Sequence, residues 1–100
     1  MYLESVDNYV SVFYRDSDQV KKQLLRTNLK KLESQFLDSE EIMRCHRSYI
    51  VNLKNIKTVD GNSRGLQLHF NNLEDSIPVS RKYVKNILKI LDEVQGGMEN

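Results

Sequence analysis

Turn-forming clusters cut the first 80 residues of this chain into short segments, and their spacing constrains the fold more than any other feature. The clusters are rich in Asp, Asn, Gly and Ser, as in "DSD" (16–18), "DGNSRG" (60–65) and "NNLED" (71–75). Between these clusters lie segments typical of strands, because the segments are rich in β-branched and aromatic residues or alternate apolar with polar residues. These segments are "NYVSVFYR" (8–15), "QVKKQLLR" (19–26), "SYIVNL" (48–53), "IKTV" (56–59), "LQLHF" (66–70) and "SIPVS" (76–80), with Pro78 suited to an edge. Such short connections favour antiparallel pairing.

Two segments show helical periodicity instead. In "TNLKKLESQFL" (27–37), Leu29, Leu32 and Phe36 share one helical face, and Thr27 is the expected N-cap. The segment "RKYVKNILKILDEV" keeps that spacing with Tyr83, Val84, Ile87, Ile90, Leu91 and Val94. We therefore expect a mainly β domain of small antiparallel sheets with a short central helix and a C-terminal helix. The pattern contains no two adjacent helices joined by a short turn, and therefore predicts no helix-turn-helix.

The size of the chain, 100 residues, predicts one domain over residues 1–95 followed by a flexible tail at 96–100. Its 39% apolar and 29% charged residues are typical of a folded domain. The chain has no apolar run of membrane-spanning length, and "MYLESVDNYV" does not have the pattern of a secretory signal. The single cysteine, Cys45, cannot form an internal disulfide. We expect a cytoplasmic protein without a membrane partner.

Positive charge is concentrated in one part of the chain. Residues 43–85 carry eight lysines and arginines against three acids, whereas residues 1–40 are nearly neutral. This asymmetry permits a polyanionic partner. A solvated basic surface would explain the same excess, so charge alone leaves both interpretations open.

The segment "RCHRSYIVNL" (44–53) could serve a metal, a cysteine nucleophile or an anion. A zinc site needs about four nitrogen or sulfur ligands, and the chain offers only Cys45, His46 and the distant His69. In a strand, Cys45 and His46 point to opposite faces, which disfavours a Cys-His hydrolase, although a loop would weaken this objection. A buried apolar Cys45 and a hydrogen-bonded structural His46 remain the simpler alternatives. No glycine-rich phosphate cradle is present, and we expect no cofactor.

Anion recognition fits the same segment. The apolar side chains of Tyr49, Val51 and Leu53 anchor the strand, so we expect Arg44 and Arg47 to project from a loop or strand entrance. Arginine makes forked hydrogen bonds with phosphate or guanine.

A second cationic cluster lies at the start of the C-terminal helix. Ser80 is the expected N-cap, and Arg81 and Lys82 occupy the first turn. Cations are unfavourable at that end of the helix dipole, which indicates a functional reason for their presence.

Four segments together resemble the LytTR DNA-binding domain. They are "YLESVDNYVSVF" (2–13), "LLRTNLKKLESQF" (24–36), "RCHRSYIVNLKNI" (44–56) and "IPVSRKYVKNI" (77–87). This module lies at the C-terminus of many bacterial response regulators, including accessory-gene and competence regulators of Gram-positive bacteria. The resemblance implies an elongated fold of small antiparallel sheets. It also implies that loops, rather than a recognition helix, enter successive major grooves of DNA.

The resemblance assigns three groups of candidate DNA contacts, of which the first comes from "DNYV" and the last from "SRK". The candidates are Asn8 and Tyr9, then Arg44, His46, Arg47 and Ser48, and finally Arg81 and Lys82. Arg81 is the candidate for a base contact in the major groove, and Lys82 for phosphate, whereas the central group lies mainly at phosphates and the minor groove. Tyr9 could instead belong to the core. The expected core residues are Leu29, Leu32, Ile50, Val51, Leu53 and Ile87, with Asn52 as a structural hydrogen-bonding residue.

The resemblance also implies the partners. We expect sequence-specific binding to double-stranded DNA at promoter direct repeats, with two copies forming a dimer on the DNA. The chain begins slightly inside the family's usual first strand, so we expect an N-terminal receiver or sensor domain in a longer protein of a two-component system. Phosphorylation would belong to that part. A protein-interaction module with a basic face is the alternative function, and a Cys-His hydrolase is a third.

Overall fold

The computed structural model describes residues 1–71 and 73–95, and the predicted tail at 96–100 lies outside the described residues. Eight strands and two α-helices account for most of this part. The strands are β1 (Tyr2–Val6), β2 (Tyr9–Asp16), β3 (Gln19–Leu25), β4 (Ile42–His46), β5 (Tyr49–Asn52), β6 (Ile56–Asn62), β7 (Gly65–Phe70) and β8 (Ile77–Ser80). The helices are α1 (Leu29–Glu33) and α2 (Arg81–Gln95), and short 3-10 turns lie at Ser34–Phe36 and Leu53–Asn55. The predicted mainly β class is confirmed.

The strands form two antiparallel sheets. The first has five strands in the order β3-β2-β1-β5-β4, and the second has three in the order β6-β7-β8. Strand β8 lies at an edge, as Pro78 predicted, because a proline nitrogen cannot donate to a second neighbour. Strand β1 lies in the middle of the first sheet because it pairs with both β2 and β5, and the chain reaches β5 through β4 at the edge opposite β3.

Two apolar cores stabilise this arrangement of sheets and helices. The larger one joins the first sheet to the second sheet and α2, and it includes Val51, Leu53 and Ile87. The smaller one lies beneath α1 and consists of Val10, Leu29 and Ile50, with Leu32 half-buried against it. The predicted core residues are therefore buried except Leu32, which lies at the margin because α1 is only five residues long. Asn52 has the predicted structural role, since its Oδ1 accepts a 3.0 Å hydrogen bond from the Lys54 main-chain nitrogen.

The first helix is capped by Asn28 and not by Thr27, so that prediction was wrong. The Asn28 backbone is extended, and its Oδ1 accepts a 2.9 Å hydrogen bond from the Lys31 main-chain nitrogen. The main-chain nitrogen of Thr27 instead bonds to the Leu25 oxygen at 3.0 Å. Because β3 holds Thr27 in this way, the helix begins one residue later than the side-chain pattern indicated.

The β6–β7 hairpin is tighter than the predicted loop at 60–65. Strand β6 continues to Asn62 and β7 begins at Gly65, so only two residues turn the chain. Gly61 has φ of +112°, and a Cβ there would collide with the Gly65 oxygen. Glycine is therefore required inside the strand, next to the turn.

Helix α2 agrees with its sequence pattern. It buries Val84, Ile87 and Leu91 and leaves charged residues on its outer face. Five strands separate α1 from α2, and within the described residues the two helices form no helix-turn-helix. Within the same residues, no helix is long and apolar enough to cross a membrane.

Candidate nucleic-acid interface

Three segments of the chain meet at one end of the first sheet. They are the β1–β2 turn at residues 7–8, the β4–β5 turn at residues 47–48 and the segment that follows β3. The main-chain nitrogen of Ser5 donates a 2.8 Å hydrogen bond to the Ser48 oxygen, so the two turns are neighbours. The pairing of Val10 with Leu25 brings residue 26 next to the β1–β2 turn. Residues distant in sequence thus form one continuous surface.

The β1–β2 turn presents its side chains to solvent. Asp7 has φ of 54°, a left-handed conformation that Asp tolerates better than most residues. Asn8 is exposed, and Tyr9 is 43% exposed, so the interpretation of Tyr9 as a core residue was wrong. Two-residue hairpin loops favour such backbone conformations because their twist matches that of the flanking strands. The turn therefore holds Asn8 and Tyr9 outward on a rigid hairpin.

Main-chain polar groups of the β4–β5 turn form hydrogen bonds with other parts of the protein. The Arg47 oxygen accepts a 2.7 Å hydrogen bond from Arg44 Nη1, and the Ser48 nitrogen donates to His46 Nδ1 at 3.1 Å. The Ser48 oxygen accepts the bond from Ser5 already described. The Arg47 side chain is exposed and has no hydrogen bond or ion pair within the described residues. This turn therefore offers an unpaired guanidinium on a fixed backbone.

Arg44 does not project from a loop, because a strand that the residue pattern did not reveal, β4, contains it. Its side chain is only 16% exposed and points toward α1. The Nε and Nη2 atoms lie 3.3 and 3.1 Å from Glu33 Oε1, and Nη1 bonds to the Arg47 oxygen. The guanidinium thus joins α1 to the β4–β5 turn.

His46 and Ser48 support the same turn. The His46 ring accepts the Ser48 bond at Nδ1 and packs edge-on against Tyr49, with 5.6 Å between ring centroids. The hydroxyl of Tyr49 donates to Glu4 Oε2 at 3.1 Å. Burial, followed by the charge of Glu4, raises the pKa of Tyr49. The structural interpretation of His46 agrees with these contacts, although its Nε2 and the Ser48 Oγ have no hydrogen bond within the described residues.

Cys45 lies in the larger core with its thiol fully buried. A β-bulge at this position interrupts the strand alternation that was expected to separate Cys45 from His46. The sulfur nevertheless lies near two carbonyl oxygens, 3.6 Å from that of Pro78 and 3.9 Å from that of Tyr49. Burial raises the pKa of the Cys45 thiol to about 12. A thiol in this state is a poor nucleophile at neutral pH.

The distant His69 is paired with a carboxylate on the second sheet. Its Nε2 lies 2.8 Å from Asp60 Oδ2 at an exposed position. Within residues 1–71 and 73–95, no group of three or more His, Cys, Asp and Glu side chains could hold a metal ion.

The third candidate pair lies at the β8–α2 junction. Arg81 and Lys82 are exposed, and Lys82 Nζ lies 5.2 Å from the centroid of the Tyr83 ring. Two contacts place this junction beside β4, one from Pro78 to Cys45 and one of 3.8 Å from Asn86 Nδ2 to Met43 Sδ. The start of α2 therefore lies beside the middle of β4. Ser80 directly precedes the helix, and its capping role stays a prediction.

Two further arginines, Arg26 and Arg64, lie beside these candidates, although no local sequence pattern distinguishes them. Arg26 lines an open cleft with Asp7, Asn8, Thr27 and Asn28. Arg64 forms the β6–β7 turn, and the pairing of Gly65 with Ser80 brings that turn next to Arg81. Both arginines are exposed. The strand register would have revealed both. Arg26 directly follows Leu25, which pairs with Val10 beside Tyr9, and Arg64 directly precedes Gly65, which pairs with Ser80 beside Arg81.

The fold and this surface define a small β-rich domain whose exposed candidate side chains lie on turns and at the start of one helix, without a helix pair in the described residues. The chain belongs to the LytTR DNA-binding domain family, which it matches over residues 1–92. This is a family of DNA-binding domains and not of enzymes.

Two relatives are consistent with this membership. The fold is similar to that of a solved LytTr DNA-binding domain of a response regulator from Bacillus cereus. The TM-score is 0.71 at 29% identity, over 91% of this chain and 79% of that one. An uncharacterized response regulatory protein of Vibrio cholerae is 38% identical over 50 residues, or 50% of this chain. The match spans 21% of that relative's length.

Proposed function

We propose that this chain binds double-stranded DNA sequence-specifically as the effector domain of a bacterial transcriptional regulator of the response-regulator type. Its turns enter successive major grooves at promoter direct repeats, and two copies form a dimer on the DNA. A receiver or sensor domain in the same protein controls this binding. The observation that carries the proposal is that exposed polar and cationic side chains occupy the two adjoining turns, β1–β2 and β4–β5, and the start of α2 beside β4.

Each of these three parts of the chain has a role in the proposal. Asn8 and Tyr9 contact a groove or the backbone beside it, and Arg47 contacts phosphate at the neighbouring turn. His46 and Ser48 reach phosphate through Nε2 and Oγ, the atoms that the turn leaves free. Arg81 reads a base in the major groove, and Lys82 contacts phosphate. Arginine suits both kinds of contact, because its planar guanidinium can donate two hydrogen bonds either to guanine or to phosphate.

The shape of the molecule supports contact with more than one groove. Its longest dimension is 42 Å, which exceeds the repeat of about 34 Å that separates successive major grooves on one side of DNA. A net charge of only +1 favours weak binding by a single copy, which agrees with pairing on adjacent repeats.

The test begins with selection of preferred sequences from a pool of random duplexes. Fluorescence anisotropy then compares the preferred duplex with a shuffled one across a salt series. We expect tighter binding to the preferred duplex and a steep decline with salt, because each phosphate contact releases counterions. Duplexes that carry one or two copies of the selected sequence, at one helical turn of spacing, test the dimer.

Equal binding to both duplexes at every salt concentration would contradict sequence-specific recognition. Saturable binding to an acidic protein, without preference among duplexes, would instead favour the protein-interaction module. A variant with Lys54→Ala serves as the charge-matched control, since Lys54 is exposed at the opposite end of β5 from the proposed interface.

A further inference from the structure

Each of the three nitrogen atoms of the Arg44 guanidinium has a partner inside the protein. It makes two hydrogen bonds to one Glu33 oxygen on α1 and one to the main-chain oxygen of Arg47. The ion pair is also shielded, because the Arg44 side chain is 16% exposed and that of Glu33 39%. A phosphate at Arg44 would have to displace partners that are already well placed. This argues against a direct DNA contact by Arg44.

The same contacts restrict the turn that carries Arg47. The Arg47 oxygen is tied to Arg44, and the Ser48 nitrogen and oxygen are tied to His46 and Ser5. Of these hydrogen bonds, only the one from Arg44 connects the turn to α1, because Arg44 also bonds to Glu33 on that helix. If the Arg44 side chain moved, the Arg47 carbonyl would lose its partner, and the peptide that orients the Arg47 side chain could rotate.

We propose that Glu33 and Arg44 are positioning residues that hold the β4–β5 turn in the geometry that Arg47 needs to bind DNA. The proposal rests on the proposed function for its effect on affinity. Glu33 aligns Arg44, Arg44 fixes the Arg47 carbonyl, and the fixed carbonyl orients the exposed Arg47 side chain. Helix α1 thereby influences recognition without touching DNA, and a change that moves α1 changes affinity through this pair.

The substitution Glu33→Gln distinguishes a positioning role from a general electrostatic effect, because the two predict changes in DNA affinity of opposite sign. Removing a negative charge near DNA strengthens binding when only the overall field matters. The positioning pair predicts the opposite, because Arg44 loses its ionic partner and the Arg47 turn loosens. Asp38→Asn is the matched control, since Asp38 is exposed on the same connection and has no hydrogen bond or ion pair within the described residues.

The experiment measures DNA affinity and salt dependence for wild type, Glu33→Gln, Arg44→Gln, the double variant and Asp38→Asn. We expect Glu33→Gln and Arg44→Gln each to weaken binding to the preferred duplex roughly threefold to thirtyfold. The double variant should be no weaker than Arg44→Gln, because the two residues act as one unit. The slope of log affinity against log salt should fall by no more than the roughly one unit that a single lost phosphate contact removes, because the pair acts only through Arg47. Asp38→Asn should not weaken binding.

Amide signals from NMR report the turn independently of DNA. We expect the Arg47 and Ser48 signals to shift in both single variants and to stay in place in Asp38→Asn, while thermal melting confirms that each variant folds. If wild type binds DNA and Glu33→Gln binds it with the same affinity, the positioning role is overturned. The same holds if adding Arg44→Gln to Arg47→Ala lowers the salt slope below that of Arg47→Ala alone, because Arg44 would then contact a phosphate of its own. If wild type binds no duplex, the proposed function fails, and the amide signals alone decide whether the pair holds the turn.

Discussion

The main-chain nitrogen of Ser5 donates a 2.8 Å hydrogen bond to the main-chain oxygen of Ser48, just beyond the last pair of the β1–β5 ladder. This bond joins the β1–β2 turn to the β4–β5 turn and so creates the surface on which the proposed function depends. Main-chain hydrogen bonds of this kind are rigid compared with side-chain contacts. The two turns should therefore act together when they meet a ligand.

Arg47→Ala should weaken DNA binding on preferred and shuffled duplexes alike. Arg47 is exposed and unpaired within the described residues, and we assign it to phosphate. The slope of log affinity against log salt should fall by about one, as for any lost phosphate contact. Anisotropy titrations over a salt series measure both effects, with Lys54→Ala as the charge-matched control. A loss confined to the preferred duplex would instead show that Arg47 reads a base.

Arg81→Ala should cost about 1 to 3 kcal/mol of binding free energy on the preferred duplex and little on a shuffled one. The reason is that a forked contact to a base edge contributes only when the correct base is present. Lys85→Ala removes the same charge one turn further along α2 and should leave the preference intact. Equal losses on the two duplexes would assign Arg81 to phosphate.

Arg26→Ala should weaken binding to both duplexes, because Arg26 lines the cleft next to Asn8 at the edge of the proposed surface. Its effect should resemble that of a single phosphate contact, with a salt slope lower by about one. The control is Lys57→Ala, on an exposed position of β6 in the second sheet. If the two variants bind DNA equally well, the interface ends at the β1–β2 turn.

Asn28→Ala should lower the free energy of unfolding by about 0.5 to 2 kcal/mol, because it removes the side-chain cap of α1. Thr27→Ala is the matched control one residue earlier and should cost less, since only the Thr27 main chain is bonded. Urea unfolding measures both variants. A larger loss for Thr27→Ala would contradict the capping role of Asn28.

Stability should fall at alkaline pH because burial raises the pKa values of Cys45, Tyr2 and Tyr49 in the folded chain. The pKa of Cys45 rises from 9.0 to about 12, and that of Tyr2 rises from 10.0 to about 12. The unfolded chain ionises first, so this stability is fully present below the lower, unfolded pKa values and is lost as pH rises toward 12. Urea unfolding from pH 7 to pH 11 measures the decline.

A Cys45→Ala variant tests the cysteine contribution to that decline. Its stability at pH 7 should be lower than wild type because a buried side chain is truncated. Its loss of stability between pH 9 and pH 11 should be smaller, since one ionising group is absent. DNA affinity at pH 7 should not change. Identical pH profiles for the two proteins would contradict the raised pKa of Cys45.

Much of the fold follows from local pattern in the sequence. Alternation in "LQLHF" places Leu66, Leu68 and Phe70 on one buried face of β7, and helical spacing defines α2. Strand β4 did not emerge from the residue pattern, because Arg, Cys and His interrupt its apolar residues and a bulge at Cys45 breaks its alternation. Periodicity indicates an element only where one face meets a uniform environment.

The sequence by itself determined six of the eight strands in the described residues, the long helix, most of the core and the residue types available for DNA. Only the tertiary structure decided which of those residues are paired inside the protein and which are exposed. Arg44 and Arg47 are three residues apart and chemically alike, yet Arg44 is paired inward with Glu33, eleven residues away, whereas Arg47 is exposed. The physical reason is that the location of a partner depends on which strands pair and where a helix packs. These relationships join distant residues and leave no periodic trace in the sequence around either arginine.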